Sequence, residues 1–205
     1  MKLKFWNPFR RIKPGEFGDL EMIDEPCESE EEIYSKEKPV FSDNLIANYE
    51  LFRDNINSPK RVLYPSCDLD ASPVRAFPDA QVDLVDINEH AVGALNRNGV
   101  NAIHSDINEY KPSELYDLLI LLNSCIPSEE ATPFVDSGGY VLANNYSKNA
   151  SQLVEDSDFE SVGTICDIPL KKVKGVWTYD HKLIRDKMVD LGETKDNLWI
   201  FRRRE

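Results

Sequence analysis

The sequence predicts an α/β domain built on a doubly wound, mostly parallel sheet. Short apolar segments alternate along the chain with segments of helical periodicity. Residues 118–122 are apolar throughout, as a central strand covered on both faces must be. Strands that alternate with helices are typical of a parallel sheet with helical crossovers. The 205 residues provide enough chain for one such domain with a sizeable core and some terminal decoration.

Strands and helices are predicted to alternate from Ser42 to Asp156. A helix begins after Ser42, a capping residue, and carries an apolar stripe as far as Ile56. Another begins at Asn88 and stops at Gly99. The first five strands are expected at residues 61–64, 81–87, 100–104, 117–122 and 139–143, with short helices at 127–135 and 149–156.

The end of the chain is predicted to complete the sheet. Two further strands are expected at residues 159–165 and 198–203, with a loop and a helix over 181–191 between them. The last strand is expected to run antiparallel to the first five. His181 lies in this excursion, which we expect to border a substrate pocket.

Residues 1–40 differ in composition from residues 41–205, which form the predicted domain. Basic and aromatic side chains interleave at the start, and an acidic run broken by prolines follows. Low apolar density and like-charge repulsion predict an extended or partly disordered arm. Its aromatic residues either pack on the domain of the same chain or dock on a partner or an anionic surface.

Charge and cysteine content narrow the classes of function. The net charge is −13, from 37 acidic and 24 basic side chains, which argues against nucleic acid as a partner. The sequence shows neither a bilayer-spanning segment nor a secretory signal, so a cytoplasmic location is expected. Four widely spaced cysteines predict no disulfide framework and no metal site. Cys67 and Cys125 are expected near one cleft, either as a redox or metal-binding pair or as small residues of its wall.

Polar residues follow the predicted parallel strands, where ligands bind in such sheets. Residues 65–73 follow the first strand, Asp86 ends the second, Asp106 follows the third, and Asn123 follows the fourth. One carboxylate can accept hydrogen bonds from two vicinal hydroxyls, so an acidic residue at the end of the second strand fits a ribose. The alternative for Asp86 is a helix-start carboxylate, although strand end and spacing both favour the ligand role. The alternative for Asp106 and Asn123 is that they are ordinary turn residues.

Over residues 42–203 this arrangement resembles the class I S-adenosylmethionine-dependent methyltransferases, a Rossmann-like family. The resemblance implies a seven-stranded sheet in the order 3-2-1-4-5-7-6 with an antiparallel last strand. It also implies that Asp86 binds the ribose hydroxyls and that Asp106 meets the adenine amino group, with Ile87 and Ile107 beside them. Asn123 stands where family members place residues near the methyl group or the substrate, which makes it the candidate catalytic residue.

The first loop departs from the family pattern of an acidic residue followed by three spaced glycines. Tyr64 stands at the acidic position, and Ser66, Asp68 and Asp70 stand at the glycine positions. Glycine permits a positive φ angle there, and aspartate tolerates that conformation better than most residues. Carboxylates in this loop would repel a pyrophosphate, whereas the sulfonium and ammonium groups of S-adenosylmethionine tolerate them.

Three functional hypotheses follow from these residues. The first is an S-adenosylmethionine-binding methyltransferase that acts on a small molecule or a protein, aligning the acceptor with the methyl group. The alternative is a non-catalytic domain of the same fold, with an interaction role for the N-terminal arm. An NAD-linked oxidoreductase ranks third, because the chain lacks both the glycine fingerprint and a compatible charge.

Overall fold

A computed structural model describes residues 34, 36–173, 176–185 and 197–205, and one mixed sheet of eight strands organises them. The strands are β1 (Arg61–Pro65), β2 (Gln81–Asp86), β3 (Ala102–His104), β4 (Tyr116–Leu121), β5 (Val135–Ala143), β6 (Phe159–Val173), β7 (Val176–Arg185) and β8 (Leu198–Arg203). The helices are α1 (Asp43–Asn55), α2 (Ser72–Ala76), α3 (Glu89–Arg97), α4 (Ser128–Ala131) and α5 (Asn149–Glu155), and a 3-10 turn (Thr132–Phe134) follows α4.

The strand order is β3-β2-β1-β4-β5-β8-β6-β7. Strands β1 to β5 pair in parallel, and β8 lies antiparallel between β5 and β6. The predicted order 3-2-1-4-5-7-6 is therefore confirmed, with β8 as the seventh strand of that order. Strand β7 adds an eighth strand at the edge, beside β6.

The predicted helix over residues 181–191 is wrong for residues 181–185, which belong to β7. The remaining residues of that range lie outside the described part of the chain. Strand β6 continues past the predicted end at residue 165 and pairs with β7 as a long antiparallel hairpin. Residues 181–185 pair with residues 163–167 of β6, and this cross-strand pairing outweighs the apolar spacing that favoured a helix.

The predicted helix signals are confirmed at two helices, α1 and α3. The Ser42 side chain caps α1 by accepting from the Leu45 amide. The Asn88 side chain caps α3 by accepting from the amides of His90 and Ala91. Gly99 follows α3 with a φ of +79°, a conformation that suits glycine. Helix α2, absent from the sequence prediction, starts directly after the first loop.

Apolar side chains fill both faces of the sheet. One cluster includes Tyr49 and Phe52 of α1 and Leu95 of α3, packed on Tyr64 and other residues of the strands. The second cluster packs helices α4 and α5 on the opposite face. This layered burial fixes β1, β2 and β4 at the centre and leaves their carboxyl ends open. Among the described helices, none has the length and apolar character needed to span a membrane.

The predicted arm over residues 1–40 falls mostly outside the described residues. Its described end reaches the domain, because Val40 forms an isolated parallel bridge with Asp70 of the first loop. The role of the preceding residues stays a prediction.

Candidate functional site

Two adjoining cavities lie at the carboxyl ends of the parallel strands and share Ser66. The larger, of about 540 Å³, is lined among others by Tyr64, Ser66, Asp68, Asp70 and Asn123. The smaller, of about 350 Å³, is lined among others by Ser66, Asp86, Ile87, Asp106 and Ile107. The structure thus brings all nine predicted site residues to the walls of two neighbouring cavities.

The first loop has the backbone of a glycine loop although it contains no glycine. Ser66 and Asp68 stand at predicted glycine positions, and their φ angles are +54° and +47°. The Ser66 amide donates to the Val85 carbonyl at 2.8 Å, and the Asp68 amide donates to Asp86 Oδ2 at 2.8 Å. These bonds from β2 offset the cost of placing side chains in the left-handed region.

Asp86 supports the loop and also faces the smaller cavity. The residue is 8% exposed, and its Oδ1 accepts from the Asn88 amide at 2.8 Å. Its Oδ2 accepts from the Asp68 amide, so each oxygen has one backbone donor. A carboxylate offers about four acceptor positions, which leaves capacity for two hydroxyl donors of a ligand.

Asp70, at the third glycine position, is held within the loop rather than left free. Tyr64 donates its hydroxyl to Asp70 Oδ2 at 3.1 Å, and the Ser72 amide donates to Asp70 Oδ1 at 2.9 Å. Burial raises the pKa of the Tyr64 phenol well above its usual value, and the nearby Asp70 charge adds to the effect. Tyr64 therefore remains a neutral hydrogen-bond donor at the base of the larger cavity.

Apolar and acidic groups share the smaller cavity. Ile87 is 68% exposed there, an unusual fraction for a large apolar side chain next to a cavity, while Ile107 is buried. Asp106 Oδ1 accepts from the Asn108 amide at 2.9 Å. His104 Nε2 lies 3.0 Å from the Ile87 carbonyl oxygen and holds this turn. The cavity can accept a flat apolar ring that presents a hydrogen-bond donor at its edge.

Asn123 lies in the larger cavity beside Asn144, which the sequence analysis did not identify. Asn123 has a φ of +50°, and its amide donates to Asn144 Oδ1 at 3.1 Å. Asn144 Nδ2 donates in turn to Asn123 Oδ1 at 2.8 Å. Asn144 follows β5 as Asn123 follows β4, so the strand-end rule that found Asn123 could also have found Asn144.

Tyr34 is a second residue of this edge that sequence reasoning missed. Its hydroxyl donates to Asp68 Oδ1 at 3.1 Å and accepts from Asn88 Nδ2 at 3.2 Å. Its carbonyl accepts from Arg97 Nη2 at 3.0 Å. Tyr34 thereby bridges the first loop and the start of α3. No sequence signal distinguished it from the rest of the predicted arm.

The two cysteines expected near one cleft line different cavities: Cys67 the larger and Cys125 the smaller. Both are free thiols, Cys67 buried and Cys125 exposed. Burial raises the pKa of the Cys67 thiol, and the Asp86 carboxylate raises it further. A protonated thiol is a poor nucleophile and metal ligand, which favours Cys67 as part of the cavity wall.

Comparison with solved structures identifies the fold. The N-methyltransferase NodS from Bradyrhizobium japonicum WM9, in complex with S-adenosyl-L-homocysteine, superimposes with a TM-score of 0.54 at 13% identity, over 86% of this chain and 94% of that one. A putative O-methyltransferase from Klebsiella pneumoniae gives 0.52 at 10% identity, over 86% and 87%. The chain has the class I methyltransferase fold.

A third methyltransferase structure agrees, while sequence comparisons add nothing. A possible histamine N-methyltransferase from Thermotoga maritima, described as S-adenosylmethionine-dependent, gives a TM-score of 0.52 at 11% identity, over 78% of this chain and 89% of that one. No protein-family model and no curated protein matches the sequence. At these identities the likeness concerns the methyltransferase fold, and the activity has to be argued from the site.

Proposed function

We propose that this chain binds S-adenosylmethionine across the two cavities and transfers its methyl group to a small-molecule or protein acceptor. The observation that carries the proposal is the first loop. Ser66 and Asp68 keep the left-handed conformation of a glycine loop, and an amide–carboxylate bond ties the loop to Asp86. A chain that retains this backbone without glycine has kept the shape on which an adenosyl ligand rests.

The residues present fit the adenosyl part of this cofactor. Asp86 would hold the ribose hydroxyls with its remaining acceptor capacity. Ile87 and Ile107 would flank the adenine ring, with Asp106 near its amino group. Burying the exposed Ile87 side chain under the ring would gain apolar contact that the free protein lacks.

The larger cavity fits the methionine part and the acceptor. Tyr64, Ser66, Asp68 and Asp70 would surround the ammonium group, and Asn123 would lie near the methyl group. S-adenosylmethionine supplies an electrophilic methyl group when bound. The contribution of the protein is to align the acceptor's nucleophile with that methyl group and to exclude water.

Charge separates this cofactor from a dinucleotide. Among the residues that the structure describes, those that line the two cavities include Asp68, Asp70, Asp86 and Asp106 but neither lysine nor arginine. A pyrophosphate over such walls would meet repulsion, whereas a sulfonium and an ammonium meet attraction. The NAD-linked alternative is therefore disfavoured.

A non-catalytic domain of the same fold is the second candidate. The observation that favours it is that Asp68, Asp70 and Asp86 all accept hydrogen bonds from groups of the protein itself. Under this hypothesis the carboxylates only stabilise the loop, and the cavities take no adenosyl ligand. Binding measurements separate the two hypotheses directly.

The test is calorimetric titration of the purified protein with S-adenosylmethionine, S-adenosylhomocysteine and NAD. We expect micromolar binding of the two adenosyl ligands and none of NAD. Ile87→Asp should weaken adenosyl binding by about tenfold or more, since it places a charge against the ring; tenfold corresponds to about 1.4 kcal/mol. No binding by folded protein would leave the non-catalytic hypothesis.

Leu115→Asp provides the matched control. Leu115 is 45% exposed, and it precedes β4 at the opposite end of the sheet from the cavities. The same charge introduced there should leave adenosyl affinity unchanged. Equal losses in the two variants would indicate a general effect of negative charge rather than a ligand contact at Ile87.

A further inference from the structure

A buried carboxylate in the larger cavity comes from outside the first loop. Asp167 lies on β6, directly opposite His181 on β7. Its side chain is only 1% exposed, yet it lines the larger cavity together with Asn123 and Asn144. The adenosyl site proposed above makes no use of it.

Hydrogen bonds fix both oxygens of this carboxylate. His181 Nδ1 lies 2.8 Å from Asp167 Oδ1 and 2.8 Å from Asn48 Oδ1. Since the Asp167 carboxylate is an acceptor, Nδ1 carries the hydrogen in this contact and donates to Oδ1. Asn44 Nδ2 donates to Asp167 Oδ2. Asn44 and Asn48 are four residues apart on α1 and so share one helix face.

This arrangement differs from that of the other two carboxylates in the cavity. Asp70 holds the first loop through Tyr64 and Ser72, and Asp68 accepts from Tyr34. Asp167 instead reaches the cavity from the antiparallel part of the sheet, and its donors come from α1 and β7. One donor on each oxygen orients the carboxylate and leaves acceptor capacity for a proton.

We propose that Asp167 is the general base that takes the acceptor's proton during methyl transfer, and that His181 and Asn44 are positioning residues for its carboxylate. The inference rests on the proposed function and names its acceptor class: a protic amine or hydroxyl. The acceptor's lone pair forms the bond to the methyl carbon, and the carbon–sulfur bond breaks with its electrons remaining on sulfur. The acceptor's proton moves to Asp167, which passes it to water before the next turnover.

The test needs no identified acceptor. Sinefungin is an adenosyl analogue in which a carbon bearing an amino group replaces the methylated sulfonium, so its ammonium occupies the place of the methyl group. A carboxylate poised for the acceptor's proton should attract that ammonium. We expect the wild-type protein to bind sinefungin about tenfold or more tightly than S-adenosylhomocysteine by calorimetry.

Asp167→Asn should reduce this preference to about twofold or less, because one charge contact contributes about tenfold. It should leave the affinity for S-adenosylhomocysteine unchanged, because that ligand has no ammonium at the methyl position. His181→Gln and Asn44→Ala should reduce it partially, because the carboxylate stays but loses one partner. Asp180→Asn is the control, since Asp180 lies on β7 of the same hairpin and its exposed carboxylate pairs with Lys182. It should keep the wild-type preference.

Each other outcome overturns the inference in a distinguishable way. If Asp167→Asn keeps the preference, the Asp167–His181 pair only fastens the hairpin to α1. If the wild-type protein binds both ligands equally, no base faces the methyl position, yet the proposed function stands. If it binds neither, the proposed function fails and the inference fails with it. Should Asp167→Asn not fold, His181→Gln and Asn44→Ala decide the matter, and an unchanged preference in both contradicts it.

Discussion

Two aspartates of strand β2, Asp83 in its amino half and Asp86 at its carboxyl end, have opposite surroundings. Asp83 is 4% exposed and Asp86 is 8% exposed, so burial alone does not distinguish them. Asp83 Oδ2 accepts from the hydroxyls of Tyr116 at 2.5 Å and Tyr110 at 3.3 Å. Within the described part of the chain, the donors to Asp86 are backbone amides, and Asp86 faces a cavity. A buried carboxylate indicates a ligand site only where its partners leave it open.

The surroundings of Asp83 are closed by side chains. Arg61 lies 4.0 Å from its Oδ2, and the guanidinium also sits over the Tyr116 ring at 4.7 Å. Gln81 Nε2 donates to both carboxylate oxygens, at 3.1 and 3.2 Å. Burial raises the pKa of the Tyr116 phenol, and its hydrogen bond to Asp83 adds to the rise. This end of β2 therefore carries a self-contained network that stabilises the fold.

The sharpest test of the comparison removes each carboxylate in turn. Asp86→Ala should weaken adenosyl binding by about 100-fold, or about 2.7 kcal/mol, because it removes the proposed ribose acceptor and detaches the first loop. It should also lower the free energy of unfolding by about 1–3 kcal/mol, since two backbone amides lose their partner. Calorimetry and urea denaturation measure the two effects.

Asp83→Ala is the mirror-image variant. We expect it to lower the free energy of unfolding by about 2–4 kcal/mol, because it leaves Arg61 and two tyrosine hydroxyls without their buried partner. Adenosyl affinity of the folded fraction should stay unchanged. Loss of binding in Asp83→Ala, or full binding in Asp86→Ala, would contradict the assignment of Asp83 to stability and of Asp86 to ligand binding.

The closed network around Asp83 should make the free energy of unfolding depend on pH in the alkaline range. Below pH of about 10 the Tyr116 phenol is protonated in the folded and the unfolded chain, so stability there does not depend on it. Above that pH the unfolded chain loses this proton and the folded chain keeps it, because burial raises the folded pKa. Stability should then fall by up to about 1.4 kcal/mol per pH unit for this group.

Tyr116→Phe isolates that contribution. The variant should be less stable than the wild type at neutral pH, because Asp83 loses a donor. Its stability should fall less steeply above pH of about 10, as urea denaturation at several pH values would show. Parallel curves for the two proteins in the alkaline range would contradict a buried, protonated Tyr116.

The parallel half of the sheet could be predicted from sequence, and the antiparallel half only in part. Residues 118–121 of strand β4 are apolar because helices cover both faces of the sheet, so the sequence of this strand alone indicates a central position. Strand β7 lies at the edge and depends on pairing with β6, which joins residues as far apart along the chain as Gly163 and Arg185. Local periodicity at residues 181–185 therefore favoured a helix that pairing excludes.

The same division applies to the cavity residues. Asp86 and Asp106 could be proposed because their position after a parallel strand has a fixed meaning in such sheets. Tyr34 and Asp167 could not, since tertiary packing alone brings Tyr34 to Asp68 of the first loop and Asp167 to the larger cavity. Asp167 becomes visible as a site residue only when β6, β7 and α1 are brought together.

The smallest expected effect concerns backbone conformation at the open end of the sheet. The non-glycine residues with positive φ in the described chain, Ser66, Asp68, Asn123 and Lys148, all follow parallel strands on the cavity side. Ser66→Gly removes a side chain from a left-handed position and should raise the free energy of unfolding by about 0.5–1 kcal/mol. Adenosyl affinity should remain within about twofold, because the loop keeps its shape.

Gly99→Ser is the reciprocal control for Ser66→Gly. Gly99 has a φ of +79°, and a Cβ there would meet no atom within 4 Å, so any loss reflects backbone conformation alone. We expect a loss of about 1 kcal/mol in urea denaturation. A stabilised Ser66→Gly beside a destabilised Gly99→Ser would mean that the open end stores backbone strain which glycine would relieve. Destabilisation of Ser66→Gly would instead mean that contacts of the Ser66 side chain offset the cost of its backbone conformation. The glycine-free loop would then hold no net strain, like the closed network around Asp83.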